Sequence, residues 1–180
     1  MSANALIKLF VMLVFFSIMA VITVPHLPFS LEKTHEMTLT ARLSALRNAA
    51  DLYYHEHHHR YPGEYSPLDG KTRFHRGQEA EAAAAFVAQL TRYSDVDGRV
   101  SRTKMPPFIL GPYLTAENLP DNPFMSGKRA RSMEIDFTLD KPFAIYPADG
   151  RTGWRLYMET GRLVANDNTA LEDGLQTASQ

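Results

Sequence analysis

The chain has 180 residues, of which 44% are hydrophobic and 22% are charged, and its formal net charge is −1. This balance gives no electrostatic reason to expect nucleic-acid binding. The sequence contains no cysteine, which excludes thiol catalysis, cysteine-type zinc sites and disulfides.

The N-terminal segment is strongly apolar and predicts a transmembrane anchor over residues 1–29. No charged residue occurs between Leu9 and Val24, and Lys8 lies near one end. A helix of this length is sufficient to cross the roughly 30 Å hydrocarbon core. Because no small-x-small cleavage site follows Val24, an uncleaved anchor is favoured over a removable signal peptide. Lys8 on the short side favours a cytoplasmic N-terminus.

A helical pattern resumes after the anchor and is predicted to form a stem over residues 30–60. The apolar positions, at spacings of four, three, four and three, are Leu39, Leu43, Leu46, Ala50 and Tyr53. The segment Tyr61-Pro62-Gly63 cannot continue a helix and is expected to end it. We expect one globular domain over 30–165, including the stem, and a flexible tail over 166–180.

The second half predicts one helix and a small sheet. An alanine-rich run from Gln78 to Arg92 indicates a helix, and the breakers over 93–128 indicate a loop. Alternation over 133–139 predicts a strand, and 143–146 a short second one. The segment 154–165 reads as a β-hairpin with Gly161 at its turn. The predicted fold class is α+β, with a long N-terminal transmembrane and stem helix packed on a small antiparallel β-sheet.

A histidine cluster at the end of the stem is the most conspicuous chemical feature. On a helix, His55, His58 and His59 would share a face, as a transition-metal site requires. A zinc protease needs a third ligand downstream, for which only His75 is nearby. A solvated helix end is therefore favoured, since imidazole also suits the negative end of the helix dipole. Adventitious metal binding and a catalytic zinc site stay as alternatives.

Other chemical motifs are weak. The run 95–98, Asp-Val-Asp-Gly, begins like a calcium loop but has no closing glutamate, so it predicts a turn with an Asx-type bond. Neither a nucleophile elbow nor a phosphate-cradling glycine loop is found in the sequence. We therefore expect no enzyme and no cofactor.

Five segments in order resemble the type IV pilin superfamily, especially the major pseudopilins of type II secretion systems. Residues 4–9 are similar to the F-T-L-I-E-L signature, and Pro25 stands at the position of the family's kinking proline. Residues 46–62, ending Arg-Tyr-Pro, resemble the stem that closes on G-R-Y-P. Segments 111–114 and 119–124 resemble the G-P-Y-L…P-x-(D/N)-P-(W/F) loop, and 153–166 resembles the closing hairpin. One departure is Lys8 in place of the signature glutamate, where a cation would repel a neighbour's N-terminal amine.

The resemblance implies a structural subunit of a type IV pilus or pseudopilus-like filament, assembled through its N-terminal hydrophobic helix. The implied partners are other pilin-like subunits, in a homo- or hetero-oligomer, an inner-membrane assembly platform and the lipid bilayer. The implied location is the bacterial inner membrane, single-pass, with the C-terminal domain in the periplasm or outside. The residues expected in the filament core and membrane helix are Leu6, Ile7, Lys8, Leu9, Phe10, Leu13, Phe16 and Pro25, and the candidate processing site is Ala3 and Asn4.

Two alternative functions stay open. Lys8 favours a membrane-anchored adaptor of an envelope or secretion complex that does not polymerise. The histidines of residues 55–59 are the only support for a membrane-tethered metal-binding protein.

Overall fold

The computed structural model describes residues 27–138 and 148–167, together with Lys8, Phe10 and residues 12–14; the side chains of 27–32 are not part of the description. The chain divides into two compact units, Met1–Thr38 and Leu39–Gln180. The predicted strand at 143–146, nearly all of the tail at 166–180 and most of the anchor at 1–29 lie outside the described residues.

Helix α1 (Leu27–Glu56) is 30 residues long and follows the predicted apolar periodicity. From residue 39 on, the stripe that it buries consists of Leu39, Leu46, Ala49, Ala50 and Tyr53. The helix ends at Glu56, a turn earlier than expected, because His58 and His59 adopt left-handed backbone conformations with φ of 54° and 58°. The left-handed residues stop the helix before the Tyr-Pro-Gly segment is reached.

The predicted transmembrane and stem helix requires correction. Among the helices of the described residues, none combines the length and the apolar character needed to cross a membrane. Helix α1 has the length, but it carries charges on nearly every turn. Those charges are Glu32, Lys33, Glu36, Arg42, Arg47, Asp51 and Glu56.

Helix α2 (Glu79–Thr91) confirms the helix predicted from the alanine-rich run. The segment 93–128, predicted as loop, in fact contains two short antiparallel strands, β1 (Tyr93–Ser94) and β2 (Val100–Ser101). A 3₁₀ helix (Gly127–Arg131) follows and leads directly into the main sheet. Two-residue strands carry too little periodicity for the sequence to reveal them.

The main sheet is mixed, so the prediction of an antiparallel sheet is wrong. Its order is β3 (Met133–Asp136), β4 (Trp154–Tyr157) and β5 (Arg162–Ala165). Strand β3 pairs with β4 in parallel, and β4 pairs with β5 as an antiparallel hairpin. The hairpin confirms the prediction, with Gly161 at φ 68° in its turn. The α+β class is also confirmed.

One hydrophobic core joins α1, α2 and the main sheet. Helix α2 packs against β3, and the central strand β4 is buried at all four positions. Full burial of a large apolar side chain stabilises a fold by roughly 1.5–3 kcal/mol. The largest apolar side chains in this core are Leu46, Tyr53, Phe86, Leu90, Ile135, Trp154, Leu156 and Leu163. These residues fix the loops that surround the end of α1.

Candidate functional site

The described N-terminal residues present apolar side chains to solvent. Lys8, Phe10 and Leu13 are helical and exposed, with 69% of Phe10 and 62% of Leu13 accessible. Val14, which is 41% exposed, follows Phe10 by four residues and therefore shares its helix face. The other residues predicted for the filament core and the processing site lie outside the described part of the chain: Ala3, Asn4, Leu6, Ile7, Leu9, Phe16 and Pro25.

The predicted shared helix face of the histidine cluster is absent. Helix α1 includes only His55, whereas His58 and His59 follow it in left-handed conformations. His58 Nε2 lies 3.7 Å from Asp97 Oδ1, and the His59 ring lies 6.2 Å from that of His55, centroid to centroid. Within residues 27–138 and 148–167, no three histidine or acidic side chains form a group arranged to hold a metal ion.

His57, which sequence reasoning passed over, is the member of the cluster that the fold uses. It is 1% exposed, and its ring stacks on Tyr53 with centroids 3.7 Å apart. Its Nδ1 donates to the Tyr53 carbonyl at 2.8 Å, so Nε2 accepts from Ser94 Oγ at 3.0 Å. Burial lowers the pKa of His57 because it penalises the charged form. The imidazole is therefore neutral and structural.

A second tyrosine extends this polar cluster to the end of α1. Tyr113 donates its hydroxyl to Glu56 Oε2 at 2.5 Å, and its ring meets the Tyr53 ring edge-on at 5.6 Å between centroids. Burial and the hydrogen bond to Glu56 raise the pKa of Tyr113. The arrangement ties the loop at 113 to the helix end.

Ser94 and His57 have the geometry of a hydroxyl–imidazole pair, but the pair has no access to a substrate. Ser94 is fully buried, and its backbone is bonded in both directions to Leu110. A nucleophile must reach a reacting atom, and both members of this pair are sealed in the core. The pair therefore stabilises the fold and gives no support for hydrolase chemistry.

The predicted turn at 95–98 is confirmed. Buried Asp95 accepts from the Arg99 backbone N–H at 2.9 Å through Oδ1, and from Arg99 Nε at 2.7 Å through Oδ2. The Arg99 guanidinium, rather than a calcium ion, thus neutralises the carboxylate of Asp95.

Gln89 is a second polar residue that the sequence did not single out. It is 1% exposed on α2, and its Oε1 accepts from Gly63 N–H at 2.7 Å. Its Nε2 donates to the carbonyls of Tyr65 and Gly98 at 3.2 and 2.9 Å. One side chain therefore satisfies backbone groups of two separate loops.

The segments that carry the pilin resemblance contact the rest of the domain. The Tyr61 hydroxyl, in the Arg-Tyr-Pro segment, donates to Thr160 O in the hairpin turn at 3.3 Å. Trp154 Nε1 donates to Pro120 O at 2.8 Å, which joins the hairpin to the proline-rich loop. The 111–114 segment is bonded through Tyr113 N–H to Leu90 O at 2.9 Å. These contacts join residues distant in sequence.

The closing segment contains a polar cluster around Asn166, in which Asn166 and Arg155 are buried. Asn166 Nδ2 lies 2.8 Å from Asp149 Oδ1 and 3.1 Å from Glu134 Oε2. Arg155 Nη2 lies 3.0 Å from Asp149 Oδ2 and 3.3 Å from Glu134 Oε1. Arg151 Nε also lies 3.7 Å from Asp149 Oδ2, so Arg155 and Arg151 together supply two positive charges for the two carboxylates.

A groove of about 570 Å³ lies between α1 and the 114–121 loop. Ala41 and Ala45 contribute small side chains from the helix, and Arg42 Nη1 donates to Asp121 O at 2.6 Å. Asp121 also pairs with Arg131 at 2.9 Å. These polar contacts hold the loop against α1.

Comparison with known proteins assigns no family: the chain matches no protein-family model, no curated protein and no solved structure. Function must therefore be argued from the residues themselves. In the described part of the chain, Arg99 and Arg155 pair with carboxylates of the polar clusters, and several large apolar side chains are exposed, among them Phe10, Leu13, Met105 and Ile109.

Proposed function

We propose that the protein is a structural subunit of a pilin-like filament, held in the bacterial inner membrane and assembled through its N-terminal apolar helix. The observation that carries the proposal is the exposure of large apolar side chains on the described N-terminal residues. Water does not favour such side chains, so they need lipid or another helix as their surroundings.

The spacing of these side chains supports helix-to-helix packing. Phe10, Leu13 and Val14 recur at intervals of three and one, which places them on one side of a helix. Between helices in lipid, association depends on side-chain packing rather than on the release of water. A neighbouring copy of the same segment supplies a surface of the same chemistry.

The resemblance of the later segments supports the same proposal. Segments around Tyr61, Pro120 and Trp154 are bonded to one another or to the hairpin turn, as parts of one domain. The polar groups of these segments bond to other parts of the same domain, which suits a domain whose role is assembly. The adaptor alternative rests on Lys8, which is exposed and would repel a neighbour's amine at close range.

Cysteine crosslinking in the native membrane tests the proposal, because the natural chain has no cysteine. The variant Leu13→Cys should give a disulfide-linked dimer on oxidation, both in membranes and in sheared surface material. The matched control Leu68→Cys, at a position 87% exposed on the second unit, should give no dimer. Adding Phe10→Ser to the Leu13→Cys variant should lower the yield of dimer by removing an apolar contact.

The N-terminal mass separates filament subunit from adaptor. A methylated chain beginning at Asn4 is expected for a processed subunit, whereas an intact Met1 supports the adaptor. If Leu13→Cys gives only monomer and the chain never occurs in sheared material, the assembly proposal is refuted.

A further inference from the structure

We propose that the loop 105–109 and the cationic cavity beside it form a contact site for anionic phospholipid headgroups at a membrane surface. The site belongs to the second unit and does not depend on the assembly proposed above. The proposal rests on two observations, an exposed apolar loop and, in the described part of the chain, two arginines without ion-pair partners. Neither the loop nor these arginines belong to the buried polar clusters.

The 105–109 loop, with sequence Met-Pro-Pro-Phe-Ile, is apolar at every position. Met105 is 55% exposed and Ile109 is 59% exposed, Pro106 and Pro107 are also exposed, and Phe108 is half-buried. Scattered apolar residues on a surface are ordinary, but a contiguous run of this kind marks an interaction site.

The backbone N–H groups of this loop suit an apolar environment. Met105 N–H donates to Phe108 O at 3.3 Å, and Phe108 N–H donates to Met105 O at 2.6 Å. Ile109 N–H donates to Pro107 O at 3.0 Å, and the two prolines have no N–H. Every backbone N–H of the loop is therefore hydrogen-bonded or, at the prolines, absent. Insertion among acyl chains would leave no N–H group without a hydrogen-bond partner.

The cavity next to the loop is cationic. It has a volume of about 330 Å³ and is lined by Thr91, Arg92, Tyr93, Arg102 and Glu117. Among the described residues, neither Arg92 nor Arg102 has an ion-pair partner within 4.0 Å or a side-chain hydrogen bond. Guanidinium groups bind phosphate oxygens well, and Glu117 is the one acidic residue in the lining.

The loop and the cavity lie on one surface. Arg102 precedes Met105 by three residues, and Lys104 Nζ lies 5.9 Å from the centroid of the Tyr93 ring that lines the cavity. Arg99, which is paired with Asp95, stands 5.9 Å over the Phe108 ring. An apolar tip flanked by cations is the pattern by which peripheral segments bind anionic bilayers. Charge complementarity therefore selects an anionic lipid surface as the occupant.

A fluorophore on the loop tests this assignment in the full chain. The single cysteine of Met105→Cys is labelled with nitrobenzoxadiazole, and the protein is reconstituted in vesicles of phosphatidylglycerol with phosphatidylcholine, or of phosphatidylcholine alone. We expect the emission to shift to the blue and to be quenched by nitroxide-labelled acyl chains only in the anionic vesicles. The same label on Leu68→Cys should respond in neither, however the rest of the chain meets the bilayer.

Charge removal tests the cations. In the labelled protein, Arg102→Gln with Lys104→Gln should lower the equilibrium constant for insertion about 25-fold, at about fivefold for each charge. The matched pair Lys71→Gln and Arg76→Gln, also exposed, should leave it unchanged. An equal response in neutral vesicles, a blue shift without acyl-chain quenching, or no effect of the Arg102 and Lys104 changes would each overturn the proposal. A blue shift without quenching would instead identify a protein neighbour.

Discussion

The substitution Gln89→Met should destabilise the domain more than any surface change, because Gln89 bonds three backbone groups. Gly63 N–H and Gly98 O are in buried residues, and each loses its partner in the variant. A buried polar group left unsatisfied costs about 1–3 kcal/mol, so the two together cost about 2–6 kcal/mol. The Tyr65 carbonyl is in a partly exposed residue and can turn to water.

The apolar Met side chain offsets about 1 kcal/mol of this cost through burial. We therefore expect a net loss of about 1–5 kcal/mol in the free energy of unfolding. Urea denaturation of the full chain, followed by fluorescence of its single tryptophan, measures this value, since Trp154 is fully buried.

Gln78→Met is the matched control. Gln78 is partly exposed and accepts one bond from the exposed residue His75 at 3.2 Å, so its loss should cost about 0.5 kcal/mol or less. If the Gln89 variant differs from the natural protein by no more than this control, the bridging role given to Gln89 is refuted.

Three further predictions concern the loops. Gly161→Ala should cost about 2 kcal/mol or more, because its Cβ would collide with the Tyr61 ring at a positive φ; an unchanged melting temperature would contradict the described turn. Asp95→Asn should lower the free energy of unfolding by about 1–3 kcal/mol in urea denaturation, since it leaves Arg99 without its carboxylate; Arg99→Lys, at a partly exposed position, keeps the charge and should cost less. The pKa of His57 is lowered in the folded state, so the unfolded chain binds more protons and stability falls as pH drops below about 6.5; the pH dependence of Tm should be shallower in His57→Gln, and identical profiles would contradict burial of the ring.

The parts of the fold that the sequence predicted are those that local chemistry decides. The alanine-rich run gave α2 within one residue at each end, because helix propensity and an apolar side agree there. The β4–β5 hairpin was also predicted, since Gly161 supplies the positive φ that its turn requires.

The parts that the sequence missed depend on contacts between distant segments. The parallel pairing of β3 with β4 cannot be predicted from either segment alone, because the sequence of a strand does not indicate the direction of the strand beside it. The histidines of the cluster could share one helix face only if the helix continued through residue 59. The left-handed conformations of His58 and His59 end the helix before that point. Gln89 looked like a polar helix residue, and only the two loops that meet it reveal its role.

The mixed sheet makes the two connections around β4 unequal in how they tolerate a change of length. Between β3 and β4 the chain must return along a four-residue strand, about 13 Å, and the 17 intervening residues leave ample slack. A peptide tag inserted there would leave the strand register untouched. Deleting one residue from the tight connection after Tyr157 would instead reverse the faces of β5, turning Leu163 and Ala165 out of the interior. A reporter sequence for following this protein in cells therefore belongs in the first connection and never in the second.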